Sequence, residues 1–355
     1  AASLDNSESS ISTGGALGLT STGALDNTSG RLVAQEAVTL SASELDNAQG
    51  TVGSVTAGVD LTATSGAVDN GSGRIEAATS VAIASQGLDN GSGLILGESQ
   101  DIDAGTQALT NQSGRIIASG QGAGDSLSIK SGALNNDQGL IQAASDLALN
   151  TRGQSLTNTN SGSQNGILSQ GSTTLTTGNL NNTSGYVGSK ERLSVNADEI
   201  TNQSGLIAGS ADLEIAAAQL SNAAGRIQAQ DDLSVTLQTA ATNRLDNTAG
   251  LLIAQETLNI QTDELINDNT LSTDPDVSLG IDARALTVSA HSFSNVSGSL
   301  RQTGTSDLDL SFAGNLDNRD GVIATNAANA KLAGASFTNT DGRISHAGTG
   351  TLDID

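Results

Sequence analysis

One short phrase recurs along this chain and limits what it can fold into. Its clearest copy is Leu25-Asp26-Asn27-Thr28-Ser29-Gly30-Arg31-Leu32. It returns as Leu88-Asp89-Asn90-Gly91-Ser92-Gly93-Leu94-Ile95 and as Leu220-Ser221-Asn222-Ala223-Ala224-Gly225-Arg226-Ile227. Sixteen copies occur, with asparagines at Asn6, Asn27, Asn47, Asn70, Asn90, Asn111, Asn136, Asn158, Asn182, Asn202, Asn222, Asn247, Asn267, Asn295, Asn318 and Asn339. Successive asparagines lie 20 to 28 residues apart. A repeat of that length with no helical period inside it specifies a solenoid, whose units bury apolar surface only by stacking on each other.

Within a unit the period is two. Leu25 and Asn27 share one parity, Leu32 and Ala34 the next, Val38 and Leu40 a third, with turn residues between the bursts. Alternation of this kind describes three short strands per coil. Strands so short are unstable as isolated hairpins, so each must pair with the same strand of the coils on either side. Parallel strands connect with a right-handed crossover as a rule, and the coil length varies too much for a strict hexapeptide helix. The expected fold is all-β: a right-handed parallel β-helix of about sixteen coils, forming a single body over residues 1–355. The chain opens partway into a repeat and stops within one at Leu352-Asp353-Ile354, so a fragment of a longer protein is expected.

The asparagine shares the inward parity and sits at a corner. Stacked asparagines one strand apart can hydrogen-bond amide to amide, as in cross-β ladders. A structural ladder is expected at Asn27, Asn47, Asn70, Asn90, Asn111, Asn136, Asn182, Asn202, Asn222, Asn247, Asn318 and Asn339. Three residues later, turn glycines are expected at Gly30, Gly50, Gly73, Gly93, Gly114, Gly139, Gly185, Gly205, Gly225, Gly250, Gly298, Gly321 and Gly342. Glycine and asparagine would serve these corners because they enter left-handed backbone conformations cheaply. Coils 1 and 13 carry Ser9 and Thr270 instead of glycine, and coil 8 is read as displacing it to Gly166. The outward position before the asparagine is aspartate in the first five coils, at Asp5, Asp26, Asp46, Asp69 and Asp89. A cation ladder and a solvated turn face are both open readings of that column. Arg31, Arg74, Arg115, Arg226 and Arg343 follow the glycine on the outside, where they are expected to lie against neighbouring acidic turns.

The chain is acidic, with a formal net charge of -24 and 14 lysines and arginines, which excludes a general nucleic-acid binder that must neutralise phosphate. No run of apolar residues is long enough to form a membrane-spanning helix. There is no cysteine, and His291 and His346 are the only histidines, without metal-ligand spacing or a nucleophilic partner. No catalytic residue, metal site or cofactor is expected, and the chain is not read as an enzyme.

Departures from the repeat mark loops. Insertions are expected at 159–166, 117–126, 237–244 and 268–280. In coil 8 the inward residue after the asparagine is read as Leu168, ten residues beyond Asn158. The coil 13 loop carries Asp268, Asp274, Pro275 and Asp276, the residues expected to contact a partner if any loop does.

Leu-Asp-Asn-x-x-Gly-x-Ile, followed by Ala or Ser and then Leu-x-Leu, resembles the haemagglutinin repeats of filamentous haemagglutinin and of CdiA-type contact-dependent inhibition proteins. The resemblance runs from Leu4 to Ile354. It implies a β-helical segment of a large exoprotein of a Gram-negative two-partner secretion system, exported through an outer-membrane transporter and displayed on the cell surface. The role so implied is a structural stalk presenting recognition or toxin modules. The alternative is a receptor-binding adhesin module acting through the loops of coils 8 and 13. The resemblance brings no catalytic residues, and the family's secretion and toxin domains have no counterpart in these repeats.

Overall fold

The computed structural model describes every residue except 123, 163, 239–241, 273 and 275–277. The described residues form strands, turns and bends with no helix. They divide into two compact units, Ala1–Asn181 and Asn182–Asp355, each carrying eight of the repeated asparagines.

In the first unit each coil has a two-residue corner strand, a four-residue second strand and a third strand of four or five residues. Coil 2 illustrates them with Leu25–Asp26, Arg31–Ala34 and Val38–Ala42. Each strand pairs in parallel with its counterpart in the next coil, Leu25 on Leu45, Leu32 on Val52 and Leu40 on Leu61. The fold is a right-handed parallel β-helix, the hand that parallel crossovers adopt. Alternation places Leu25, Leu32, Ala34, Val38 and Leu40 in the core, all fully buried, while Arg31 and Thr39 face outward. The corner after the third strand is filled by small residues, including Ala42, Ala63, Ala104 and Ser131. Ser85 and Ser131 satisfy their buried hydroxyls there by donating to Gly87 O at 2.8 Å and Gly132 O at 2.9 Å.

Insertions leave the register intact. In coil 8, Ile141 pairs with Ile167 across the insertion, so Ile167 is the inward residue and Leu168 faces outward, correcting the sequence reading by one residue. A one-residue slip would turn the whole strand inside out. The sheet register, set by neighbouring coils, decides between the two.

The second unit repeats the plan with three-residue corner strands, such as Glu199–Thr201 and Gln219–Ser221, and with some strands fused. Leu251–Gln261 and Gly280–Ser289 each run through the corner between second and third strands as one continuous strand. Their pairing shifts between Ala254 and Thr257, where two residues face the single Arg284. Leu308–Asp317 and Ala330–Thr338 fuse a third strand with the following corner strand through a similar irregularity. Phe293 and Phe312 fill the core beside these junctions, with ring centroids 5.8 Å apart.

Candidate functional site

The repeated phrase builds one corner many times over. Where an aspartate precedes the asparagine, it turns its carboxylate back onto the chain. Asp26 Oδ1 accepts the Thr28 backbone N–H at 2.8 Å, Asp69 that of Gly71 and Asp89 that of Gly91, both at 2.7 Å. This is the Asx turn that favours aspartate and asparagine at such positions. Asn135 does the same for Asp137 at 3.0 Å. The aspartate column is thus accounted for by turn capping, and no group of three or more His, Asp or Glu residues is placed to hold a metal among the described residues.

Inside the corner, Asn27 Nδ2 donates to Asn47 Oδ1 at 2.6 Å, Asn47 to Asn70 at 2.8 Å and Asn70 to Asn90 at 2.7 Å. In the first unit this chain runs from Asn6 through Asn111 and Asn136 to Asn158. In the second it runs from Asn182 through Asn202, Asn222, Asn247, Asn267, Asn295 and Asn318 to Asn339. Most of these amides also reach backbone carbonyls, as Asn90 Nδ2 does to Gly93 O at 3.3 Å and Arg115 O at 3.2 Å. Thus fully buried amides sit with their donors and acceptors used, as burial requires.

The left-handed residue of the corner is neither the glycine nor the ladder asparagine. It is the residue just before the glycine: Ser29, Gln49, Ser72, Ser92 and Ala224 lie at φ between 51° and 57°. The glycine is required by close approach. A Cβ on Gly50 would stand 2.3 Å from Asn27 O and 2.6 Å from Asn47 Oδ1. The expectation that glycine supplies left-handed backbone at this position is therefore corrected. Sequence reasoning could not see the previous coil's carbonyl pressing on it.

Coil 13 shows how the corner tolerates another residue. Thr270 Oγ1 donates to Asn267 O at 2.9 Å and accepts the Ser299 N–H at 2.9 Å. Elsewhere the glycine's own N–H and carbonyl make these bonds, as in Gly30 N–H to Asn27 O and Thr51 N–H to Gly30 O. In coil 8 Ser161 stands in the same place, buried, so Gly166 is not a displaced turn glycine.

Gly166 instead ends its insertion. It re-enters the sheet at φ 114° directly above Leu140, and Gly280 ends the coil 13 insertion at φ 94° directly above Leu251. Leu140 and Leu251 occupy the outward slot that holds arginine in coils 2, 4 and 6, yet they are only 5% and 1% exposed. Leu94, in the same slot under a coil without an insertion at this corner, is only half-buried. Leucine beneath and glycine above is the shared solution for both insertions. The sequence signal for it is a leucine in the arginine slot one coil before a long gap.

Of the residues expected to contact a partner, Asp268 is engaged structurally. Its Oδ1 accepts Ser294 Oγ at 2.6 Å and the Val296 N–H at 2.9 Å, capping the next corner. Asp274 is exposed and its N–H donates to Ser272 Oγ at 3.0 Å; Pro275 and Asp276 lie outside the described residues. A cleft of about 240 Å³ opens here, lined by Thr270, Leu271, Asp274, Leu279, Asp282 and Arg301. Leu271, at 45% exposed, is one of the few large apolar side chains at the surface. Arg301 Nε donates to Asp282 Oδ2 at 3.0 Å, and this contact holds the guanidinium above its ordinary pKa.

Two further contacts tie coils together. Arg152 Nη2 donates to Asp103 Oδ1 at 2.8 Å, spanning from coil 7 to coil 5. Asp137 accepts Thr159 Oγ1 at 2.6 Å and Asn160 Nδ2 at 2.8 Å from coil 8, and these bonds hold its carboxyl below the usual range. Of the outward arginines, Arg74 pairs with Glu76 and Arg226 bonds Gln228 at 2.7 Å. Both partners are two residues along the same strand, where an acidic turn was expected. His346 Nε2 lies 2.9 Å from Ala327 O.

The sequence family of the haemagglutinin repeat matches residues 1–29, 122–165, 157–236, 234–274 and 283–352, more than half of the chain. Residues 30–121 fall outside the matches, yet Asn47, Asn70 and Asn90 make the same corner there as Asn202 and Asn222 do within them. No curated protein and no solved structure matches the chain.

Proposed function

The chain belongs to the haemagglutinin-repeat family, and from that premise we propose that it is a stalk segment of a large Gram-negative surface exoprotein. Proteins of this family are secreted or cell-surface exoproteins, and their repeats are structural or adhesive segments rather than enzymes. The proposed task is mechanical: to hold a recognition or toxin module at a distance from the producing cell. The observation that carries this reading is the asparagine ladder, which joins eight coils in each unit by side-chain bonds of 2.6 to 2.8 Å in addition to the strand pairing. Such redundancy serves axial cohesion and presents nothing to a ligand. Between an adhesin and a contact-dependent toxin, we favour the toxin-delivery stalk. Its partner during export would be an outer-membrane two-partner secretion transporter.

The second reading, a receptor-binding module, is favoured at one place by the exposed Leu271 beside the cleft of coil 13. Labelled chain applied to intact Gram-negative and epithelial cells separates the two. A variant with residues 271–279 cut to a repeat-length turn, retaining Asp268 and Thr270, is measured alongside. Saturable binding lost in the variant would replace the stalk by a receptor-binding segment. No binding by either protein, with both folded, is the outcome the stalk reading requires.

A further inference from the structure

The outward positions of the first unit are sorted by charge from one strand to the next. On the second-strand sheet, one column reads Ser10, Arg31, Thr51, Arg74, Leu94, Arg115, Leu140, Gly166 in strict parallel register. The column beside it reads Ser12, Val33, Gly53, Glu76, Leu96, Ile117, Gln142, Leu168. This face has three arginines against one glutamate, in a chain of net charge -24. Arg31 and Arg115 are exposed and make no ion pair among the described residues. Leu94, Leu96 and Ile117 beside them are only half-buried.

The adjoining corner is its opposite. Asp5, Asp26, Asp46, Asp69 and Asp89 stack in register. Across coils 2 to 4 they border a groove of about 380 Å³, lined by Ala24, Asp26, Glu44, Asp46, Ala67 and Asp69. One wall is the column Asp26, Asp46 and Asp69 and the other is Ala24, Glu44 and Ala67, a pairing of carboxylate and methyl surface that suits a guanidinium on an aliphatic stem.

We propose that the first unit associates side by side with a second copy of this chain, Arg31 and Arg74 of each lying in the aspartate groove of the other, with Arg74 exchanging its Glu76 partner for the groove carboxylates. The spacings match because both columns are set by the same ladder. Arg31 and Arg74 are two coils apart, as are Asp26 and Asp69, about 10 Å at the inter-strand distance. Arginine face and aspartate corner are adjacent on one coil, so a two-fold arrangement engages both pairs at once and closes as a dimer. Individually such exposed pairs are weak. Several of them in register, with half-buried leucines excluding water, act together. The like net charge of the two copies opposes association at long range, but that repulsion is screened beyond about 8 Å at physiological ionic strength. No part of this rests on the stalk reading.

Sedimentation velocity of the full chain tests it at 0.15 M and 1 M salt, as a concentration series. The expected result is a concentration-dependent dimer at the lower salt that dissociates at the higher. The triple variant Arg31→Glu, Arg74→Glu, Arg115→Glu should be monomeric at both. Asp26→Asn, Asp46→Asn, Asp69→Asn removes charge while keeping the turn cap, since Asn135 already makes that cap in coil 7. It too should be monomeric, with an unchanged circular dichroism spectrum. A wild-type monomer throughout overturns the proposal, and so does a dimer that persists in either variant.

Discussion

Leu251 points outward from its strand and is nonetheless buried, because Gly280, the residue through which the coil 13 insertion returns, is stacked directly upon it. Leu140 and Gly166 stand in the same relationship in coil 8. The insertions are therefore anchored at their return points by apolar contact and by a glycine whose positive φ other residues would strain to adopt.

That anchoring predicts a contrast between two leucines in one slot. Leu251→Arg, which restores the residue of coils 2, 4 and 6, should destabilise the protein by about 2–3 kcal/mol, the value of a fully buried leucine. Leu94→Arg, at a half-buried site, should cost less than about 0.5 kcal/mol. Urea denaturation of the two variants measures the difference. Equal effects would mean that the insertion does not shield Leu251.

The glycine of the corner and the residue before it should respond in opposite ways. Gly50→Ala places a methyl 2.3 Å from Asn27 O, and overpacking of this kind costs about 1–3 kcal/mol. Ser29→Gly, at φ 55°, relieves a left-handed strain and should shift stability by no more than about 1 kcal/mol in either direction. If calorimetry found Gly50→Ala neutral, close approach would not be the reason for the glycine.

The ladder predicts a pH signature. Asn90 Nδ2 donates to Asn111 Oδ1, and its own Oδ1 accepts from Asn70. Asn90→Ala should cost about 2–4 kcal/mol by orphaning two buried groups. Asn90→Asp puts a buried carboxylate against the Asn111 acceptor, so burial and that oxygen favour its protonated form and raise its folded pKa. The penalty relative to wild type should therefore be smaller at pH 4 than at pH 7. A penalty independent of pH would count against a buried position 90 facing a neighbouring amide oxygen.

Asp137 has the opposite sign. The bonds from Thr159 and Asn160 hold its folded pKa below that of the unfolded chain. Its contribution is therefore complete above the unfolded value of about 3.9 and disappears as pH falls through the lower folded value. Asp137→Ala should melt below wild type at pH 6, and the gap should close on acidification towards pH 2. A gap that widens with acid would refute the assignment.

The sequence by itself determined the coil, its corner residue and its inward face, because a period of two within strands and of about twenty residues between them is a property of the chain alone. It also carried the family. What it missed lies between residues a whole coil apart. Gly50 is glycine because Asn27 O, from the preceding coil, fills the space where a side chain would go. Ile167 rather than Leu168 faces inward because Ile141 holds the register beneath it. Asp268, which the sequence places at the start of a loop, also caps the Val296 corner of the next coil. Spacing along a chain encodes which way a side chain points. Only stacking decides what it meets there, since those neighbours are brought together by the coils and not by the sequence.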